Sequence, residues 1–353
     1  MRLAVLGAGA IGPAAAVLAM SRGHRAVVWS PSGAGIAGLE DGIEAEGLIE
    51  GHFPLAATAS LGDAFRGADA ALLAVPAHAF AAVLPRIAAA LPPGLPLLVA
   101  PAASLAPVVL DVLMARRGAP ARRAPVGAMA TTPGGARRTA PGRVRVAMLR
   151  SAVEMAAVPA AAAPEMAALA RALFGMDVPL SPDALHASLL NLNPIAHAAL
   201  ALTNVTRMER AEDWPQYAMM TPFACNLMLA MEGERADLAA AHGHVLEGIA
   251  TALHRANGVP IAPLHEMTAR IAAARPEVRG PRTTESRYVI EDVPFGLSYY
   301  LALATARGVA MPVTDGVVRT LEALWGRDLR RNPMLDALDL RDLPRLLAEG
   351  AGR

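Results

Sequence analysis

Over roughly the first 180 positions the apolar residues fall in short runs separated by Gly, Pro and polar breaks; beyond that they recur at helical spacing. The opening stretch "LAVLGAGAIGPAAAVLAMSRGHRAVVWS" reads as a short strand, a glycine-punctuated turn, a helix ending near Gly23 and a second strand ending at Trp29. Alternation continues with a strand over 69–75, a helix over 78–91 and a strand over 95–101. "RVRVAML" and "EMAAVP" read as further strands, followed by a helix over 165–174 and a last strand near Val178. Near Ser181 the pattern changes to amphipathic helices over 194–209, 221–240, 242–256, 264–273, 294–306 and 314–324, with Gly, Pro or Asn at most joints. No strands are evident there. The pattern predicts an α/β domain over residues 1–181 and an all-helical domain over 182–353.

A length of 353 residues suits two domains of ordinary size. Hydrophobic residues make up 54% of the chain and aromatics only 4%, so the core is built from Ala, Leu, Val and Met rather than large rings. The long apolar stretch over 81–110 is broken by Pro, Gly and Arg before the ~20 clean residues that a membrane helix needs, so no membrane span is expected. The N-terminus enters strand-like sequence at once, without a charged-then-apolar leader, which sets the expectation of a cytoplasmic protein. A lone cysteine, Cys225, excludes an intramolecular disulfide and a cysteine-based zinc cluster; it reads as a buried thiol, and no metal site is expected. All 32 basic residues are arginine, and there is no lysine. The arginines concentrate somewhat between Arg116 and Arg150 without interleaved aromatics, which reads as a solvated face and not a nucleic-acid groove.

Gly7, Gly9 and Gly12 stand between the first strand and the first helix. Gly7 permits the tight turn, Gly9 lets the backbone approach a pyrophosphate, and Gly12 lets the helix lie close to the strand. The backbone amides of Ala8, Ala10 and Ile11 belong to the same turn and helix mouth, whose positive end suits phosphate. In this strand-helix context the fingerprint predicts an N-terminal Rossmann dinucleotide-binding domain followed by the helical C-terminal domain. The end of the second strand carries Ser30 where an acidic residue would hold the ribose hydroxyls, so NADP is favoured over NAD, with Ser32 and Arg25 as further donors. Val75, Pro76 and His78, in "AVPAHAF", form the loop that such sheets bring to the cofactor; His78 reads as a helix-start residue near the nicotinamide half or as a packing group.

In the second half, "NLNPIAH" over 191–197 places Pro194 in a first helical turn and His197 one turn on. By periodicity alone His197 reads as a buried interhelix histidine and Asp292 as a cap before Pro294. Asn193 reads as a helix cap or as a hydrogen-bonding group for the nicotinamide ribose or substrate. Arg287 suits a carboxylate, which its planar fork grips at both oxygens, or else a surface pair with Glu285 or Glu291; Arg282 has the same alternatives. Trp214, Tyr299 and Tyr300 read as core or as pocket lining, and Met219, Met220, Met228 and Met231 as core, with a homodimer left open.

A dinucleotide domain followed by a helical one resembles the dehydrogenases of glycerol-3-phosphate, 6-phosphogluconate, hydroxyisobutyrate and ketopantoate, a resemblance that implies a helical lysine at the reacting oxygen. This chain has none. "NLNPIAH" and "TTESRYVIEDVPFGL" (283–297) resemble the two signatures of the octopine/nopaline (opine) dehydrogenase family, whose layout the whole chain shares. That resemblance implies that His197 and Asp292 form the catalytic pair and that Arg287 holds a keto acid's carboxylate. It also implies that Thr132, in "ATTPGGARR" (130–138), belongs to a loop holding the amine substrate, although the aromatic and cysteine usual after its proline are missing. The implied activity is NAD(P)H-dependent reductive condensation of an amino acid's amine with a 2-oxo acid such as pyruvate. Histidine suits that proton traffic because imidazole titrates nearest neutrality, and a carboxylate fixes its tautomer. The alternatives are a 2-oxo acid or imine reductase and a non-catalytic dinucleotide sensor; the partners expected are small-molecule substrates and, as an open alternative, a second copy of the chain, with no nucleic acid and no membrane.

Overall fold

The computed structural model describes residues 1–117 and 123–351, so Arg122 of the arginine-rich stretch lies outside the described residues. In chain order the first part comprises β1 (Arg2–Leu6), α1 (Ile11–Ser21), β2 (Arg25–Trp29), β3 (Ile43–Gly47), β4 (Gly51–Phe53), β5 (Ala56–Thr58), α2 (Leu61–Phe65) and β6 (Ala70–Leu73). It continues with α3 (Phe80–Ala90), β7 (Leu97–Val99), α4 (Ala106–Ala115), β8 (Val126–Met129), β9 (Gly134–Ala140), β10 (Arg143–Leu149), β11 (Met155–Val158), α5 (Ala163–Phe174) and α6 (Ala184–Leu189).

Seven strands form one sheet in the order β11-β8-β7-β6-β1-β2-β5, parallel except for β11. Its inner strands are buried almost throughout, which is why they read as apolar runs without alternation. The chain passes from β1 to β2 on one side and returns to β6 on the other. The switch point therefore lies between β1 and β6, the place where open α/β sheets bind ligands at the strands' carboxyl ends.

A second sheet, β4-β3-β10-β9, was not foreseen. β10 is the expected strand "RVRVAML" but pairs here, parallel to β3 and antiparallel to β9, and most of the stretch read as a loop over 130–138 forms β9. These strands alternate: Ile43 and Ala45 are buried between exposed or half-buried glutamates, as in a sheet with one wet face. Around Val178 the chain makes only isolated bridges, Ala152 to Asp177 and Met155 to Leu180, in place of the expected strand.

The helical part comprises α7 (Asn193–Thr203), α8 (Val205–Glu209), α9 (Pro222–Ala241), α10 (Ile249–Asn257), α11 (Leu264–Ala274), α12 (Arg287–Ile290), a π-helical turn (Val293–Leu297), α13 (Ser298–Arg307) and α14 (Pro312–Trp325). It contains no strand among the described residues, as expected. The helix read over 194–209 breaks at Asn204, which has φ −129° and turns its side-chain amide back onto the Leu200 carbonyl. Residues 242–248 are not helical, because Gly243 has φ +80° and α10 starts only after an extended Gly248.

The chain divides into two compact units, Met1–Ser188 with Met334–Arg353, and Leu189–Pro333. This differs from a single boundary at residue 181. The C-terminal stretch, including α15 (Leu343–Glu349), belongs to the first unit, where the Ala351 amide donates to the Asp111 carboxylate (2.6 Å) and Arg116 to the Ala337 carbonyl (3.1 Å). No helix among the described residues is long and apolar enough to cross a membrane.

Candidate active site

In the first unit, β1 runs directly into the glycine turn. Gly7 has φ +138°, a backbone state that L side chains rarely adopt, and a Cβ there would lie 2.4 Å from the Ala74 carbonyl beyond β6. A Cβ on Gly12 would lie 1.8 Å from the Gly7 carbonyl. Both glycines are thus demanded by packing. Gly9 differs: it is exposed, and a Cβ there would meet nothing within 4 Å. The protein supplies no reason for that glycine, whereas close backbone approach to a pyrophosphate does. The first turn of α1 has no side-chain cap and no acidic residue, which leaves its amides and positive end available to an anion. Residues 7–12 therefore fit a dinucleotide.

Ser30 is buried just after β2, and its Oγ accepts from the Gly35 amide at 3.3 Å. Arg25 does not join it: it begins β2 at the far end from the glycine turn. Val75 and Pro76 follow β6 beside Gly7, and exposed His78 sits in the helical turn Ala77–Ala79. Thr132 donates to the Gly134 carbonyl (2.8 Å) in the turn that opens β9.

In the second unit, α7 begins with an Asx turn. The Asn191 side chain accepts the Asn193 amide (3.1 Å), so Asn191 does the local bonding and Asn193, expected as a cap, is instead the exposed first helical residue. The approach to α7 is tied down from two helices: Arg235 of α9 donates to the Leu189 carbonyl (2.6 Å), and Tyr300 of α13 to that of Asn191 (3.0 Å). Pro194 occupies the first turn, where a missing N–H costs little.

The second signature packs straight onto this turn. A Cβ on Gly296 would lie 2.3 to 2.4 Å from Cγ and Cβ of Pro194, so only glycine lets the π turn rest there. Asp292, just ahead of that turn, has helical dihedrals and makes no capping bond, contrary to its reading as a helix cap. Its Oδ2 lies instead 2.7 Å from Nδ1 of His197, both side chains being buried. Tyr288 stacks on the imidazole, with ring centres 3.7 Å apart and planes within 6°, and donates its hydroxyl to Gln216 (2.6 Å). Arg287 reaches Oδ2 of Asp292 through Nε and Glu291 through Nη2, each at 3.4 Å, while its side chain stays 52% exposed.

Burial alone would raise the Asp292 pKa, but His197 and Arg287 beside it outweigh this and hold the carboxyl below its ordinary value. An ionised carboxylate only accepts, so Nδ1 of His197 carries a hydrogen and Nε2 is left for proton exchange. Nε2 has no hydrogen-bond partner among the described residues. Burial pushes the Tyr288 phenol well above its usual range, which keeps it neutral beside the pair.

The structure thus joins His197, Asp292 and Arg287 in one cluster. Of the other candidates, Arg282 donates to the Ala211 carbonyl, and Trp214, Tyr299 and Tyr300 are core residues at most 1% exposed. Met220, Met228, Met231 and Cys225 are buried as well, and Met219 partly. No group of three His, Cys, Asp or Glu able to hold a metal occurs among the described residues. Tyr288 and Gln216 were missed by the sequence reading. Tyr288 carried a signal, being next to Arg287 and four residues before Asp292; Gln216 carried none.

Residues 180–325 match the family described as NAD/NADP octopine/nopaline dehydrogenase, alpha-helical domain. The helical part of the chain is thus similar to the octopine/nopaline (opine) dehydrogenases. Residues 2–101 match the NAD-dependent glycerol-3-phosphate dehydrogenase N-terminus. The opine dehydrogenase of Arthrobacter sp. (strain 1C) is 27% identical over 336 residues, which cover 93% of this chain and 92% of the relative. Among solved structures, octopine dehydrogenase with NADH and L-arginine superposes with a TM-score of 0.74 at 17% identity, covering 97% of this chain and 93% of that one. Yersinopine dehydrogenase with NADP+ superposes with a TM-score of 0.71 at 19% identity, covering 98% and 97%. At these identities the family's structures share the fold.

Proposed function

We propose that this protein is an NAD(P)H-dependent opine-type dehydrogenase that joins an amino acid's amine to a 2-oxo acid such as pyruvate. The observation that carries this reading is the buried His197–Asp292 pair, set in the family's helical domain within a chain that has no lysine for the proton work. In the reaction, the amine nitrogen adds to the oxo carbon and water leaves. The imine then gains a hydride at carbon and a proton at nitrogen. The dinucleotide supplies the hydride.

Nε2 of neutral His197 takes the proton released as nitrogen adds and returns it to the departing hydroxyl, so the ring ends the condensation as it began. Asp292 holds the Nδ1–H tautomer and stabilises the imidazolium in between. Arg287, whose charge does not titrate, grips the 2-oxo acid's carboxylate with the exposed part of its fork. Asn193 and Thr132 bond the substrates, and the uncharged Ser30 favours NADP over NAD. Residues 7–12 with Val75, Pro76 and His78 hold the dinucleotide.

The competing reading is a plain 2-oxo acid reductase. The two are separated by NADPH oxidation with pyruvate alone and with pyruvate plus a panel of amino acids, with mass detection of products. Oxidation that requires both substrates, and a product weighing their sum less one oxygen, is expected. Comparable rates with pyruvate alone reject the coupling reaction.

A further inference from the structure

Two arginines to which no role has been assigned, Arg138 and Arg86, close on the segment that follows β2. Arg138 reaches from β9 of the second sheet, donating through Nη1 to the carbonyls of Ala8 (3.1 Å) and Gly35 (2.6 Å) and through Nη2 to that of Ala37 (3.5 Å). It spans the glycine turn and the loop after β2 with one guanidinium. Arg86, on α3, donates to the Pro31 carbonyl (3.4 Å) and lies 5.3 Å from the centre of the Trp29 ring. Every hydrogen-bond acceptor of these two groups is a neutral carbonyl. The segment between them, "SPSGAGIA" over 30–37, has no acidic residue, and Ser30 already accepts the Gly35 amide.

At this place in such a sheet the chain meets the adenosine ribose, and the residue type there decides between a 2′-hydroxyl and a 2′-phosphate. Two uncompensated guanidinium groups are a poor setting for a hydroxyl and a good one for a dianion, which accepts both prongs of an arginine fork. The geometry points to Arg138, assisted by Arg86, as the receiver of the 2′-phosphate, and so to a cofactor preference written in the second sheet and in α3 as well as at the end of β2. The Arg138 bonds exchange a carbonyl for a phosphate oxygen while its bond to Ala8 keeps the pyrophosphate turn in register. This inference rests on the dinucleotide reading of the proposed function.

The test is fluorescence titration of the full chain with NADPH, NADH, 2′,5′-ADP and 5′-ADP, for wild type, Arg138→Gln, Arg138→Lys and Arg86→Gln. Wild type is expected to bind each 2′-phosphorylated ligand about tenfold or more tightly than its partner, the usual scale of a charge-assisted contact. Arg138→Gln should lose about that factor for NADPH and 2′,5′-ADP while NADH shifts less than about threefold; Arg138→Lys, which keeps the charge without the fork, should fall between Gln and wild type. Arg86→Gln, remote from the glycine turn, should move the same ratio in the same direction by a smaller factor. Equal weakening of both dinucleotides, or no wild-type preference between 2′,5′-ADP and 5′-ADP, would overturn the assignment. Because no substrate is needed, failure of amine coupling leaves the titrations standing, whereas a wild-type protein that binds neither dinucleotide overturns both readings.

Discussion

Tyr288 does for the plane of the His197 ring what Asp292 does for its tautomer. A flat stack at 3.7 Å leaves the imidazole little rotation about its outer bond, and the Tyr288 hydroxyl is itself anchored on Gln216. Replacing Tyr288 by Phe keeps the stack and removes the anchor, so it should cost about 1 kcal/mol of stability, the usual worth of one hydrogen bond, and leave kcat within a few-fold. Replacing it by Leu removes the flat face. There kcat should fall about tenfold or more with little change in KM, since small misplacements of a proton-transfer group are costly. Thermal unfolding with steady-state kinetics on both variants checks this, and undiminished kcat in Tyr288→Leu would strip Tyr288 of its positioning role. At this scale His197, Asp292 and Arg287 were legible because each sits in a compact signature. The stack was not, because nothing local tells a tyrosine which ring it will meet; only the landing of the π turn on Pro194 decides that.

Among the elements, the glycine turn shows most clearly how packing and ligand demands separate. A methyl added at Gly12 collides with the Gly7 backbone, which cannot yield as a side-chain tip would. Gly12→Ala should therefore destabilise by at least the ~1–3 kcal/mol typical of overpacking, seen as a lowered denaturation midpoint. Gly9→Ala meets only open space and should unfold like wild type while losing about tenfold or more in affinity for either dinucleotide, because its methyl fills the approach to the pyrophosphate. A Gly9→Ala protein with undiminished dinucleotide binding would remove the pyrophosphate from this turn. The turn was readable because each of its three glycines meets a separate steric demand at a fixed distance from the strand end, so the spacing itself carries the geometry. The second sheet was not, since β3, β4 and β9 are short, partly charged or glycine-bearing, and the pairing of β3 with β10 that joins its two hairpins spans about a hundred residues of sequence. The start of α10 was missed for a related reason: residues 242–248 keep a helical apolar spacing that the backbone at Gly243 does not follow.

Across the whole molecule, 32 arginines and no lysine face 31 acidic residues, so the positive side of the balance hardly titrates above the histidine range. The pH dependence of stability then lies mainly with shifted carboxyls in acid and buried hydroxyls and the thiol in base. Asp292 is held below its ordinary value by His197 and Arg287 against the effect of burial, and Asp315 by its bonds to Arg319 and Arg330. Since their native values lie below the unfolded one, the unfolded chain binds more protons as pH falls. Their contribution is complete above the ordinary carboxylate value of 3.8 and is lost as pH drops through the lower native values. In base the sign reverses: burial raises Cys225, Tyr288 and Tyr300, the last to about 12, so their contribution is complete below the unfolded values and is lost as pH climbs through the native ones. Stability should accordingly form a plateau from about pH 5 to 8 and fall away on both sides. Asp292→Asn isolates the acid limb. Its denaturation midpoint should lie below that of wild type at pH 5, and the gap should narrow as pH falls under about 4, where the wild-type carboxyl takes up its proton. A gap that widened as pH fell to 2 would mean that Asp292 is not ionised in the native protein. The Nδ1–H tautomer of His197, and the proton route through Nε2 that depends on it, would then have to be abandoned.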